Sequence, residues 1–247
     1  MRVGVNSRLL LKDRLEGIGY FTLKNLERLA KNHPDCEFVL FFDRPYDRDF
    51  VFADNVKPIV IPLPTRHPML WHIYFEILLP IYIRLYKIDV FFSPEGYIPT
   101  RVKTPKLCTI HDINFEHEKT YIGNKVYQRY MEYFTPRFAK SANAVLTVSE
   151  FSKQDIATTY QIDENKIFNV ESSANEEYIT YSEQENQRTR ERYSNSCPYF
   201  YFVGSLQKRK NLTNLFRAFD LFKEKTQSNV KLVIVGSKKW WKGEIED

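Results

Sequence analysis

Cysteine is scarce in this chain of 247 residues: Cys36, Cys108 and Cys197 are the only three. They lie far apart, form no C-x-x-C pair and are odd in number. That argues against a disulfide framework and against a zinc site, and a reducing compartment is the simplest home. No secretory leader is expected either. MRVGVNSRLLL runs directly into a strand-like pattern, without a long apolar stretch or a small-residue cleavage site. The chain therefore reads as cytoplasmic.

Long apolar runs are also scarce. The one stretch that could be mistaken for a membrane span is Met69–Tyr86, MLWHIYFEILLPIYIRLY. His72, Glu76, Pro80 and Arg84 recur in it at every fourth residue, which places them along one stripe of a helix. Charges at mid-span are expensive in lipid. The expectation is a helix broken near Pro80, packed on a sheet with one polar edge. Peripheral membrane contact, at the inner face of the membrane, is the minority reading.

What is present is an ordinary globular balance, 43% hydrophobic and 27% charged, with 16 Tyr and 19 Phe. The formal charge of +5 is concentrated at one end: residues 198–247 hold ten Lys/Arg against five Asp/Glu, and residues 1–197 are neutral. A basic end suggests an anionic partner (nucleotide phosphate, nucleic acid or lipid head groups) or, more plainly, a solvated basic face.

Short apolar runs alternate with helical patterns. Strands are expected at 2–6, 37–42, 56–62, 89–93, 106–112, 144–149 and 166–170. Several are continuously apolar, as for strands covered on both faces. Helices are expected at 18–32, with Leu23, Leu26, Leu29 and Ala30 on one face, at 120–140, and at 150–160 with Ser149 as cap. This alternation predicts an α/β fold with a parallel, doubly wound sheet. Residues 176–197 are polar and read as a connector with some helix. A second unit then begins: strand 199–204, basic loop SLQKRKN, helix 212–226 with Leu212, Leu215, Phe216, Phe219 and Phe222 on one stripe, and strand 230–236. One such βαβ unit is too small for a doubly wound domain. The reading is an N-terminal Rossmann-like domain over 1–175, a connector over 176–197 and an incomplete second domain over 198–247.

Three places could carry chemistry. Gly17-Ile18-Gly19 starts the first helix, where free amides favour an anion, although it is not the G-x-G-x-x-G fingerprint and a plain helix-start turn fits as well. His111-Asp112 ends a buried strand, where α/β sheets place ligands and where a histidine can donate a hydrogen bond to a substrate; a structural role is the alternative. Lys208, Arg209 and Lys210 precede a helix with Asn211 as its expected cap, a credible diphosphate clamp or else an exposed basic turn.

HDINFEHEKTY (111–121), VLTVSEFSKQDIATTYQIDENKI (145–167) and YFVGSLQKRKNLTNLFRAFDLF (201–222), with GIGYFT and the Glu76-x-x-x-Pro80 helix, resemble in order and spacing the family 4 retaining glycosyltransferases of the GT-B fold, especially the bacterial mannosyltransferase-like branch. The resemblance spans essentially the whole chain. It implies two Rossmann-like domains facing each other, with the acceptor held by the first and the nucleotide sugar by the second. The reaction implied is transfer of a hexose such as mannose, with retention, to a glycan or lipid-linked acceptor. No carboxylate pair suits a glycosidase-type couple, so the leaving phosphate would assist a front-face mechanism. By the same resemblance His111 contacts the transferred sugar, Gly17 and Gly19 approach the sugar phosphate, and Arg209 and Lys210 clamp the donor diphosphate. These cations would do the work a metal does elsewhere, so no cofactor and no metal are expected. Asp112 and Ser149 are weaker candidates, expected to be structural.

The chain departs from the family pattern in three ways. Ser205 stands where many relatives carry arginine, ESSAN (171–175) replaces a P-N-G-like turn, and the sequence stops at Asp247 before an E-x-x-x-x-x-x-x-E segment. It is accordingly expected to be a fragment or a truncated product with weak or no activity alone. A non-catalytic glycan- or acceptor-binding protein is the alternative. A nucleic-acid module, resting on Trp240 and Trp241 among Lys238, Lys239 and Lys242, lacks a recognised motif, and no nucleic-acid partner is expected.

Overall fold

The structure, a computed structural model, describes residues 1–12, 14–65, 67–118, 125–174, 178–207 and 210–237. The chain divides into two units, Met1–Ser172 and Ser173–Asp247.

The first unit is built on a seven-stranded parallel sheet. Its strands are β1 (Arg2–Asn6), β2 (Glu37–Phe42), β3 (Val56–Val60), β4 (Val90–Ser93), β5 (Lys106–Thr109), β6 (Ala144–Thr147) and β7 (Ile167–Asn169). They lie in the order β3-β2-β1-β4-β5-β6-β7. The order reverses between β1 and β4, which pair from Val3 with Val90 to Val5 with Phe92. A doubly wound sheet leaves a crevice outside the carboxyl ends of its strands at such a switch point. β2 shows why the sheet is covered on both faces. Phe38, Leu40 and Phe42 enter one hydrophobic core, while Val39 and Phe41 enter the other. An alternating strand with no polar face can only be stable between two layers.

Helix α1 (Gly17–Asn32) covers one face. Its buried row is Gly19, Thr22, Leu26 and Ala30, and Leu29 is exposed, a correction to the leucine stripe expected from sequence. A leucine at 19 or 22 would have marked the row; a glycine and a threonine did not. After the short α4 (Asn114–His117), helix α5 (Lys125–Ser141) continues through Pro136, and α6 (Glu150–Tyr160) begins at Ser149, whose Oγ accepts from the Ser152 amide at 3.1 Å. Residues 120–124, the expected start of the former, lie outside the described residues.

The expected break near Pro80 is instead a widened turn. α2 (Pro68–Ile73) passes into a π-helical turn (Tyr74–Leu78) and on into α3 (Leu79–Leu85), with Pro80 in the first turn of α3, where its missing N–H costs little. The inward face is Trp71, Tyr74, Phe75, Leu79 and Ile83, all buried. The outward face is not the expected polar edge. Met69, Ile73, Ile77, Ile81 and Leu85 are all exposed, beside His72 and Arg84. No helix among the described residues is long and apolar enough to cross a membrane.

In the second unit, β8 (Tyr199–Val203) and β9 (Lys231–Val235) pair in parallel around α8 (Leu212–Thr226). The segment expected as a connector holds α7 (Glu183–Ser194), opened by a capping box in which the Ser182 Oγ and the Glu185 carboxylate each take the other's backbone amide. Asn211 precedes α8 in a left-handed conformation and makes no side-chain cap, contrary to expectation, because that backbone turns its side chain away from the helix amides.

Candidate functional site

β1, β4 and β5 are central strands of the first sheet, and the segments leaving their carboxyl ends converge. Two residues past β5, His111 is half-buried, and its ring lies edge-on to Phe21 with centroids 4.9 Å apart. Phe21 is one turn into α1, so the histidine and the Gly17-Ile18-Gly19 helix start are neighbours. Gly19 is buried, and a Cβ there would stand 3.0 Å from both the Leu9 carbonyl and Leu15; its glycine is a packing requirement. Gly17 is exposed with open space where a side chain would be. Glu16 precedes it as the N-cap without a side-chain hydrogen bond to the helix amides, and the first turn itself holds no acidic residue, so those amides are not capped by a side chain.

The other side of His111 is fixed by the exit from β4. Its Nε2 lies 3.0 Å from the Pro94 carbonyl oxygen. A carbonyl only accepts, so Nε2 carries the proton and donates. Burial pulls the His111 pKa below its ordinary 6.5, outweighing the Pro94 bond and Asp112, and the ring is neutral at pH 7. Nδ1 is then a lone-pair acceptor. In this tautomer the neutral ring offers a substrate hydroxyl an acceptor, whereas the donor role expected from sequence needs a proton on Nδ1. Asp112 is exposed and takes the Asn114 amide at 3.2 Å, a local turn contact.

Gly96 makes the exit turn with φ +85°, a left-handed conformation that a side chain would strain. That turn sends Glu95 back under the strand ends. Glu95 Oε1 accepts from Asn6 Nδ2 and from Arg8 Nε, each at 2.5 Å. Asn6 also donates to Ser93 Oγ at 3.1 Å, and its buried Oδ1 has no hydrogen-bond partner among the described residues. Burial disfavours the charge on Arg8, but Glu95 overrides it and the guanidinium is held firmly protonated. Its faces are covered by Tyr97, Trp71 and Phe75, at 4.7, 5.3 and 5.9 Å from the ring centroids. Arg8 also reaches Thr65 Oγ1 at 3.2 Å, and Thr65 donates its amide and hydroxyl to Asp43 at 2.8 and 2.5 Å. Asp43 is buried, which raises its pKa, but the Arg44 fork at 2.6 and 2.7 Å and Thr65 hold it below the ordinary carboxylate value.

This network of Asn6, Arg8, Asp43, Arg44, Thr65 and Glu95 escaped sequence reading. The available signal was positional. Arg8 and Glu95 stand two residues past β1 and β4, and Asp43 directly past β2, the same rule that singled out His111.

In the second unit, the loop after β8 folds tightly: the Gln207 amide bonds the Ser205 carbonyl and the Lys210 amide bonds that of Gln207, each at 2.9 Å. Ser205 is half-buried and Lys210 exposed, while Lys208 and Arg209 lie outside the described residues, as do Lys238, Lys239, Trp240, Trp241 and Lys242. Ser149 is occupied as the cap of α6.

Residues 15–170 match the family described as Glycosyltransferase Family 4, and residues 183–247 match Glycosyl transferases group 1. O-antigen chain mannosyltransferase B of Escherichia coli is 26% identical over 243 residues, covering 93% of this chain and 63% of that protein. Among solved structures, sucrose-phosphate synthase from Thermosynechococcus elongatus is similar with a TM-score of 0.68 at 12% identity, over 96% of this chain and 62% of that one. Anabaena HepE, in complex with UDP and glucose, is similar with a TM-score of 0.58 at 9% identity, over 94% and 60%. The chain thus spans about three fifths of the length of each.

Proposed function

The chain belongs to glycosyltransferase family 4 and has the GT-B type of α/β fold, and from that premise we propose that the full-length protein transfers a hexose, mannose first, from a nucleotide sugar to a glycan or lipid-linked acceptor with retention. The observation that carries this reading is the meeting of His111, the β4 exit and the start of α1 at the switch point of the sheet. The mannosyltransferase relative favours mannose and an O-antigen-like glycan acceptor, and the UDP complex of HepE favours a nucleotide-sugar donor.

His111, neutral and anchored through Nε2, accepts a hydrogen bond from a hydroxyl of the transferred sugar at Nδ1 and fixes its orientation. The N-terminal amides of α1, left without a side-chain cap, and the open space at Gly17 support phosphate approach. In the second unit, Arg209 and Lys210 hold the donor diphosphate and stabilise it on departure. The protein works in the cytoplasm, peripherally at the inner face of the membrane.

The test is nucleotide release and product formation by the full-length protein across common nucleotide sugars, mannose nucleotides included. Donor-dependent transfer that collapses in His111→Ala supports the proposal. Absence of release with every donor overturns it, and a product of inverted anomeric configuration overturns retention.

A further inference from the structure

We propose that the outward face of the 68–85 helix docks on an anionic lipid bilayer. This rests on the peripheral location proposed above, not on the transfer reaction. Met69, Ile73, Ile77, Ile81 and Leu85 are 70, 36, 52, 56 and 67% exposed, five large apolar side chains spaced four residues apart. Single exposed hydrophobics are ordinary, but a contiguous row is an interaction surface.

The backbone limits how far this row winds around the helix. In an α-helix a four-residue spacing advances about 40° per step, so five residues would wind nearly halfway around the axis. The π-helical turn at Tyr74–Leu78 rotates the register back at the middle of the row. The same turn keeps Trp71, Phe75, Leu79 and Ile83 pointed at the core, so one device serves both faces.

The charge around the row selects the occupant. Arg84 and Lys87 stand at its C-terminal end, where Lys57 also lies over the Tyr86 ring at 5.7 Å. At the other end His72 contacts Phe134 of α5, with centroids 5.7 Å apart, and next to it the Arg137 guanidinium covers the half-exposed Tyr133 ring at 3.4 Å. Arg101 and Lys103 are exposed beside Thr100. The carboxylates on this helix and just past it, Glu76 and Asp89, keep their charge but are outnumbered by these cations. Glu76 takes the Thr100 amide and hydroxyl, each at 3.0 Å, and Asp89 takes the Arg2 amide at 2.7 Å. An apolar row rimmed by cations and an aromatic ring fits an interfacial helix lying in the plane of negatively charged head groups, rather than a second copy of an equally cationic face.

The experiment is co-sedimentation of the full chain with phosphatidylcholine–phosphatidylglycerol vesicles and with pure phosphatidylcholine vesicles. Binding to the anionic vesicles is expected. It should fall at least about tenfold in Ile77→Glu and in Ile81→Glu, and severalfold in Arg84→Glu and in raised salt. These side chains are exposed, so circular dichroism should be unchanged, and the arginine variant tests the same surface without touching the apolar row. Failure to bind anionic vesicles overturns the proposal, as does binding indifferent to all three substitutions. A wild-type dimer in sedimentation velocity that Ile77→Glu converts to monomer overturns it in favour of a second copy. None of these readouts requires transfer, so their failure leaves the proposed reaction standing.

Discussion

Neutralising Glu95 while keeping its shape tests the polar network beneath the strand ends most directly. In Glu95→Gln the Arg8 guanidinium stays charged and 9% exposed but loses the one anion that, among the described residues, pairs with it within hydrogen-bond distance. Removing one partner of a buried pair costs about 3–5 kcal/mol, because the other charge remains buried. Glutamine can still accept from Arg8 and Asn6, so the lower figure, about 3 kcal/mol, applies. For a unit of this size that corresponds to a fall of about 6–12 °C in melting temperature. Urea unfolding followed by circular dichroism gives the measurement, with Arg8→Met and the double variant completing a cycle. The double variant should lose clearly less than the two single losses together, since an apolar pair strands no charge. A loss under about 1 kcal/mol in Glu95→Gln, the scale of an exposed ion pair, would refute the reasoning, and so would strict additivity.

His111 should set an acid limb in the pH profile of transfer, with a midpoint below 6.5, and His111→Gln should lower kcat/KM about a hundredfold and abolish that limb. Because its folded pKa is depressed, the unfolded chain takes up the proton first, so the fold loses stability as pH falls below about 6.5, and acid titration of the melting temperature checks this. Gly19→Ala should destabilise by about 1–3 kcal/mol, having backbone 3.0 Å away, whereas Gly17→Ala should leave or slightly raise stability yet raise KM for the donor; an unchanged KM would remove Gly17 from the site. Toward a thiol reagent the folded chain should modify half-buried Cys197 and spare Cys108, whose burial pushes its pKa up to about 12, until urea is added.

Every described strand was legible as a largely apolar run, and α8 was found at its bounds; β2, with five of six residues buried, shows how burial on two faces removes polar interruptions, while β8 kept its apolar run although it is largely exposed. Helix faces were less legible. The inward row of α1 uses a glycine and a threonine, and the 68–85 helix hides a change of pitch that no residue type announces. The site was legible where one segment carried it, as at His111 and Gly17-Ile18-Gly19. Asn6, Arg8, Asp43, Thr65 and Glu95 were not, since strand order alone brings together residues as much as 89 positions apart. The protonation of His111 depends on a carbonyl 17 residues away, which no local pattern reveals.

The pairing of β1 with β4 also has a consequence in time. On the ribosome β1 emerges early, and β2 can join one edge of it after Phe41 has appeared. The other edge stays open until Val90–Phe92 are made. At 5–20 residues per second that interval is about two to ten seconds. During it, the open edge of β1 and, until the 68–85 helix is made, the Val39 and Phe41 face of β2 are uncovered in the cell, so slowing translation between residues 42 and 90 should increase the share of this chain lost to aggregation or chaperone capture.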